Sequence, residues 1–297
     1  SEPAHSAAAA YTLIDRAFEE FAHQRARPKH IQVPIAQLEA MADPGPARQV
    51  PAQPVTGSEA ALSAVVGLIQ KANKPLFIFG GGAVSAKVMP LLEITGAAAI
   101  STFAGRGVVA SDYPLYLGAC LARPSSADVI ATADLVVVIG SELAEVDLWR
   151  AQLGHKDSLV RVDIDPQVLA DPQSADIRIL MRSEDFVGQL TAQLEPSDKR
   201  TGWQPDDVKQ ARQKWTAETD AEFPGILPVC RALQEVMPEQ AMIYSDMTQF
   251  AYLAKEVWDM PRAAHWHHPF GFGTLGYALP AAIGGAVARK DLPTVAI

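Results

Sequence analysis

The chain has 297 residues, which at roughly 100–200 residues per domain suggests about two domains. Its 48% hydrophobic and 20% charged residues are typical of a globular protein and argue against disorder, collagen and coiled coil. A net charge of −9 disfavours nucleic acid and anionic membranes as partners, because both are polyanions. The distant Cys120 and Cys230 support neither a disulfide framework nor a zinc site, and fit a reducing compartment. No apolar run approaches the ~20 residues of a membrane span.

The N-terminal segment predicts one helix and one strand. Apolar residues at helical spacing predict a helix over 11–21, and an Arg-Pro pair ends it. A short strand is expected over 30–35. The following stretch, 41–57, is rich in proline, glycine and alanine, which predicts a linker.

From Ser58 onward, helical segments alternate with short apolar runs. The runs predict strands at 75–80, 98–100, 135–139 and 159–165. Strands that are apolar on both faces and separated by helices are typical of a parallel sheet covered on both sides. We therefore predict a central α/β domain with a doubly wound parallel sheet, similar to nucleotide-binding domains, that ends near Leu194.

The polar stretch 195–223 predicts a second linker, with an exposed helix over 206–220. An α/β pattern then returns, with the following elements expected: helix 226–236, strand 241–245, helix 248–258, helix 275–288 and strand 293–297. Helix 275–288 is apolar all round, which predicts that it is buried. The long linkers favour flanks that belong to separate, partial α/β domains; the alternative is that both flanks join the central sheet.

Three stretches carry a resemblance to a known family. They are Arg27-Pro-Lys-His-Ile-Gln-Val-Pro-Ile35, the segment 74–194 with Gly80-Gly-Gly and Asp134-Leu-Val-Val-Val-Ile-Gly140, and Gly271-Phe-Gly-Thr-Leu-Gly-Tyr-Ala-Leu-Pro-Ala-Ala-Ile-Gly284. With them the chain resembles the thiamine-diphosphate-dependent enzymes of the acetolactate synthase and 2-oxo acid decarboxylase group. The last stretch is the most specific of the three.

The resemblance implies a domain organisation. Residues 1–45 would be the C-terminal remnant of the pyrimidine-binding domain, and 46–57 a linker. Residues 58–195 would form the central domain, followed by a linker over 196–222. Residues 223–297 would be the N-terminal part of the diphosphate-binding domain.

The resemblance also implies cofactor-binding residues. The backbone carbonyl of Gly273 would accept a hydrogen bond from the aminopyrimidine of thiamine diphosphate, and the side chain of Leu275 would hold the cofactor bent. Gln249 and the adjacent Phe250 would contribute to the diphosphate pocket. The structural alternatives are a turn with a core leucine, and a helix capped by Asp246 or Thr248.

Two family features have no counterpart in the chain: the activating glutamate of the first domain, and the metal-binding Gly-Asp-Gly that follows the strand matching 293–297. We therefore expect a fragment without catalytic or metal-binding residues of its own, inactive by itself and without a tightly bound cofactor. The whole enzyme would use thiamine diphosphate and Mg²⁺ for carboligation or decarboxylation of 2-oxo acids, as a transferase or lyase. It would be a cytoplasmic homo-oligomer, either a dimer or a tetramer.

The sequence leaves other functions open. Gly80, Gly81 and Gly82 with Asp163 or Asp165 are candidates for FAD binding, but the chain lacks GxGxxG, so tight turns are the favoured interpretation. A nucleotide-binding or structural α/β module is thus an alternative function. Further candidates for substrate or anion contacts are His265, His267, His268, Arg106 and Arg123.

Overall fold

The computed structural model describes residues 1–46, 57–200 and 202–297. It divides into two compact units, Ser1–Thr56 and Gly57–Ile297. The predicted linker 46–57 lies almost wholly outside the described residues. No helix in the described ranges is both long and apolar enough to cross a membrane.

The first unit contains two short strands and two helices: β1 (Glu2–Pro3), α1 (Ala7–His23), β2 (Ile31–Gln32) and α2 (Ile35–Leu38). The two strands pair in parallel. Helix α1 begins earlier than the predicted residue 11, because Ser6 caps it by accepting a hydrogen bond from the Ala9 N–H and the alanines that follow favour helix.

The second unit is built on a five-stranded sheet: β3 (Pro75–Phe79), β4 (Ala98–Ser101), β5 (Leu135–Ile139), β6 (Ser158–Asp163) and β7 (Ile177–Leu180). All neighbouring strands are parallel and the order is β4-β3-β5-β6-β7. The predicted doubly wound parallel sheet is confirmed. Strand β7 was not predicted, because its side chains alternate between buried and exposed and form no continuous apolar run.

Helices cover both faces of this sheet. Those before residue 195 are α3 (Glu59–Lys71), α4 (Met89–Thr95), α5 (Ser126–Ile130), α6 (Glu145–Leu148), α7 (Pro166–Leu169) and α8 (Ser183–Gln193). Alternate strand residues enter two separate cores: Phe77 and Val137 lie in one, and Ile78 and Val138 in the other. The strands are therefore buried on both faces, as their sequence predicted.

The predicted exposed helix after residue 195 is partly wrong. Helix α9 (Pro205–Glu222) forms close to the expected range, but Trp215 is only 1% exposed. Val208 and Trp215 lie two helical turns apart on one face of α9. Together with Trp203 they belong to the core that contains Ile78 and Val138. The stretch is a packed layer of the fold, which its many charged residues concealed.

The C-terminal part has a sheet of its own. Its elements are α10 (Ile226–Val236), β8 (Met242–Tyr244), α11 (Gln249–Val257), β9 (Trp266–His267), α12 (Ala278–Ala288) and β10 (Thr294–Ala296). The three strands are parallel in the order β10-β8-β9. Among the described residues, neither flank adds a strand to the five-stranded sheet, so the alternative that both flanks join it is wrong.

The predicted burial of the apolar helix 275–288 is also wrong for one face. Helix α12 begins at Ala278 and packs on β8 and β10. Leu279, Ile283 and Val287, spaced four residues apart, are 59–67% exposed. Composition predicted an apolar helix correctly, but burial depends on which elements lie against it.

Candidate functional site

The predicted site residues follow two neighbouring strands, β8 and β9. The chain leaves β8 through Asp246 and Met247, and Thr248 caps α11 by accepting a hydrogen bond from the Ala251 N–H at 3.4 Å. Gln249 is the first residue of α11 and is exposed. Phe250 is half-buried against the core of the three-stranded sheet.

The second segment is the loop 271–276, which follows β9 and which we call the glycine loop. Gly273 and Gly276 have φ angles of +62° and +79°, the left-handed region that favours glycine. The Gly273 N–H donates to the Pro269 carbonyl at 2.8 Å. Phe272 and Leu275 are 96% and 67% exposed, so the loop carries two large apolar side chains into open space.

Asp246 joins the two segments. Its carboxylate accepts hydrogen bonds from the backbone N–H groups of Gly276, Tyr277 and Ala278 at 2.7–2.8 Å. These bonds, led by the one from Ala278, lower the pKa of the Asp246 carboxyl. In addition, the Met247 N–H donates to the Thr274 carbonyl at 3.3 Å. The predicted residues Gln249, Phe250, Gly273 and Leu275 thus lie on two segments that meet at one edge of the sheet.

Sequence reasoning missed the function of Asp246 in this arrangement. It was considered as a cap for α11, the helix that follows it, whereas Thr248 caps α11 and Asp246 binds the start of α12. The only signal in the sequence is an aspartate directly after a strand, which does not indicate a partner some thirty residues further on.

The geometry of the edge fits thiamine diphosphate. A Cβ added at Gly271 or Gly276 would meet no atom within 4 Å, so a ligand has room to approach the glycine loop. The exposed Leu275 side chain presents an apolar surface, and the exposed Gln249 amide is a donor for an anionic oxygen. The described residues contain no group of three metal-binding side chains, and both Asp246 oxygens accept backbone hydrogen bonds.

Packing accounts for the glycines proposed to bind FAD. A Cβ on Gly80 would lie 2.2 Å from the Gly140 carbonyl oxygen, and one on Gly82 would lie 2.9 Å from the Gly140 Cα. Asp163 accepts from the Asp165 N–H and Asp165 from the Gln167 N–H, both at 2.9 Å. These residues close turns at the ends of β3, β5 and β6, which is the structural interpretation favoured above.

Arg106 and His268, two of the residues singled out from the sequence, are both buried beside the Trp266 ring. Arg106 is 3% exposed, lies 4.7 Å from the Trp266 ring centroid, and burial lowers the pKa of its guanidinium to about 10. His268 is 6% exposed, and burial lowers its pKa to about 2. Arg123 instead forms an ion pair with buried Glu256 at 2.7 Å. Arg106 and Arg123 thus contact side chains of the C-terminal part, Trp266 and Glu256, respectively.

A cleft of about 640 Å³ lies elsewhere, between residues 111–116 and helices α9 and α10. Lys209, Arg212 and Arg231 line it, but none of the predicted cofactor-binding residues do. Arg212 is paired with Asp259. The cleft therefore has no link to the glycine loop, and we place the candidate site at the loop.

Comparison with known protein families agrees with this geometry. Residues 62–190 match the central domain of thiamine pyrophosphate enzymes, and residues 246–297 match their C-terminal thiamine pyrophosphate-binding domain. The chain belongs to the thiamine pyrophosphate enzyme family. The C-terminal match begins at Asp246 and contains the whole glycine loop.

Curated relatives include both decarboxylases and synthases. A probable 2-ketoarginine decarboxylase of Pseudomonas aeruginosa is 32% identical over 95% of this chain and 51% of its own length. The large subunit of acetolactate synthase isozyme 1 of Escherichia coli is 25% identical over 89% of this chain and 47% of its own. A sulfoacetaldehyde acetyltransferase of Alcaligenes xylosoxydans is 26% identical over 81% and 46%, respectively. The chain spans about half the length of the curated relatives it matches.

Proposed function

We propose that this chain is part of a thiamine-diphosphate-dependent enzyme, similar to acetolactate synthase, that decarboxylates or carboligates 2-oxo acids. The observation that carries the proposal is the glycine loop, held to β8 by Asp246 and carrying an exposed Leu275. The family matches over residues 62–190 and 246–297 support it. When bound, thiamine diphosphate supplies an electron sink for the carbanion left by cleavage of the bond next to the 2-oxo carbonyl.

The residues of this chain would bind and orient the cofactor. The Gly273 carbonyl would accept a hydrogen bond from the aminopyrimidine, and the Leu275 side chain would pack against the cofactor. Gln249, at the N-terminus of α11, would donate to the diphosphate, where the helix dipole also favours negative charge. Phe250 beside it would anchor the start of α11 in the core.

Magnesium belongs to the proposal as the ion that accompanies the diphosphate. No magnesium ligand is proposed among the described residues. We also propose a homo-oligomer, as the resemblance implies, which light scattering of the purified protein tests. A cytoplasmic location is supported by two buried, unpaired cysteines, Cys120 and Cys230.

Decarboxylation without carboligation is the second candidate function. The 32% identity to the probable 2-ketoarginine decarboxylase, against 25% to the acetolactate synthase subunit, favours it. The two candidates differ in their products: a decarboxylase releases an aldehyde and CO₂, whereas a synthase joins the two-carbon unit to a second 2-oxo acid.

The test uses the natural-length protein with thiamine diphosphate and Mg²⁺, and with pyruvate, 2-oxobutyrate or 2-ketoarginine as substrate. We expect CO₂ release that requires the cofactor, and product analysis then separates the two candidates. Leu275→Ala is expected to lower kcat/KM at least tenfold. Val236→Ala, an exposed apolar residue at the end of α10, is the matched control and should leave it unchanged. Absence of CO₂ from all three substrates would contradict the proposal.

A further inference from the structure

We propose that Asp246 is a positioning residue for thiamine diphosphate, because its carboxylate holds the glycine loop at the carboxyl end of β8. The inference rests on the proposed function. Asp246 itself would not contact the cofactor. It would fix the positions of the Gly273 carbonyl and the Leu275 side chain before the cofactor binds.

The Asp246 carboxylate accepts three backbone hydrogen bonds. Asp246 Oδ2 accepts from Gly276, and Oδ1 accepts from Tyr277 and Ala278, all at 2.7–2.8 Å. Ala278 is the first residue of α12, where backbone donors have no partner within the helix, and Gly276 and Tyr277 come directly before it. Bonds to an ionised carboxylate are about twice as strong as neutral ones. The residue at the N-cap of α12, Tyr277, offers no side-chain cap of its own.

Asp246 is itself anchored by the strand from which it projects. The Asp246 N–H donates to the Ile297 carbonyl at 2.9 Å, which continues the pairing of β8 with β10. Ser245, the preceding residue, is fully buried, and its hydroxyl accepts from the Trp266 indole at 2.8 Å. Asp246 therefore projects from a rigid strand end, and the bonds that it accepts fix α12 and the loop to that strand.

The glycine loop has few other contacts that would hold it in place. Phe272 and Leu275 are exposed, and a Cβ at Gly271 or Gly276 would meet no neighbouring atom. Glycines lose more conformational freedom on ordering than other residues. Without the carboxylate, the loop would become ordered only when the cofactor binds. The conformational entropy lost in that step would weaken cofactor binding.

The chain offers a matched control. The Asp134 carboxylate accepts from the Asn73 and Lys74 N–H groups at 2.7 and 2.9 Å. It is the same kind of contact between an aspartate and distant backbone groups. It lies at the start of β3 and β5 in the central sheet, in a different part of the fold from the glycine loop.

The test compares Asp246→Asn, Asp246→Glu and Asp134→Asn in the natural-length protein. Thiamine diphosphate affinity is measured by calorimetry with Mg²⁺ present, and amide hydrogen exchange is measured without cofactor. We expect Asp246→Asn to raise the Kd at least tenfold and to speed exchange at Gly276, Tyr277 and Ala278. Asp246→Glu, which keeps the charge, should recover part of the affinity. Asp134→Asn should change the Kd less than twofold.

A merely structural Asp246 would give a different result. Both asparagine variants would then lower the unfolding midpoint, while the folded Asp246→Asn protein would bind thiamine diphosphate with unchanged Kd. That outcome overturns this inference and leaves the proposed function intact. If the unsubstituted protein does not bind thiamine diphosphate, the proposed function fails, and this inference fails with it.

Discussion

The five-stranded and three-stranded sheets share a parallel plan but differ in how completely the chain covers them. Every residue of β3 and β5 is buried, whereas β8 and β10 are partly exposed. Helices α3, α4 and α8 close one face of the larger sheet, and α9 contributes to the other. Beside the smaller sheet, one face of α12 and the glycine loop are exposed. The candidate site therefore lies in the less covered region, where backbone remains accessible to a ligand.

The largest expected difference between the two regions is the effect of truncating a side chain in the covered core. Phe77 is fully buried in β3 and lies 5.9 Å from the Phe79 ring, centroid to centroid. We expect Phe77→Ala to lower the free energy of unfolding by about 3–5 kcal/mol, because it leaves a cavity. Phe272→Ala in the glycine loop should change it by less than about 0.5 kcal/mol. Urea denaturation followed by tryptophan fluorescence measures both; similar losses would contradict the difference in coverage.

The next largest effect concerns the contact between the two regions. Arg123 lies in the segment between β4 and α5, and its ion-pair partner Glu256 is buried in α11. Arg123→Met would remove the ion-pair partner of that carboxylate, which keeps an uncharged donor, the Thr219 hydroxyl, so we expect a loss of about 3 kcal/mol in the free energy of unfolding.

The control is the exposed ion pair of Lys214 with Glu218, at 3.9 Å on α9. Lys214→Met should change the free energy of unfolding by less than about 0.5 kcal/mol. Adding Glu256→Leu to Arg123→Met should restore much of the stability, because the unpaired buried charge is removed. A double variant no more stable than Arg123→Met would contradict an energetic cost from that charge.

A pH dependence tests the burial of His268 in the same contact. Burial lowers its pKa from 6.5 to about 2, and Arg106, Lys255 and His267 add to the shift. Below the ordinary histidine pKa the unfolded chain therefore binds a proton that the folded chain does not. Stability is fully present above pH 6.5 and falls as the pH is lowered, by at most about 1.4 kcal/mol per unit from this residue.

His268→Leu should remove this contribution, so the unfolding free energy of the variant should fall less between pH 6.5 and pH 5 than that of the unsubstituted protein. Denaturation at both pH values gives the comparison. If the unfolding free energy of both proteins fell by the same amount between pH 6.5 and pH 5, His268 would be protonated in the folded state as readily as in the unfolded chain.

The smallest effect is expected on the outer face of α12. Leu279→Ala should change the free energy of unfolding by less than about 0.5 kcal/mol, because its side chain is already exposed. The same substitution at buried Leu190 of α8 should cost about 2–5 kcal/mol. A Leu279 effect close to that of Leu190 would show that α12 is covered in the protein in solution.

The sequence by itself determined four of the five strands of the central sheet and yielded a prediction for the site. Short apolar runs such as 135–139, separated by helical segments, are typical of strands buried on both faces, so β3, β4, β5 and β6 were predicted. Local patterns suffice for these strands, because each run contains the information on its own environment. For the site, the resemblance carried by 271–284 predicts Gly273 and Leu275 as cofactor-binding residues, and this stays a prediction.

Only the tertiary structure decided what covers each element and how the two site segments are joined. Trp215 is buried in a helix that is mostly charged, and Leu279 is exposed in a helix that is mostly apolar. The hydrogen bonds between Asp246 and the start of α12 connect residues about thirty positions apart. Burial and long-range hydrogen bonding depend on which elements meet in space, and no local pattern of residues contains that information.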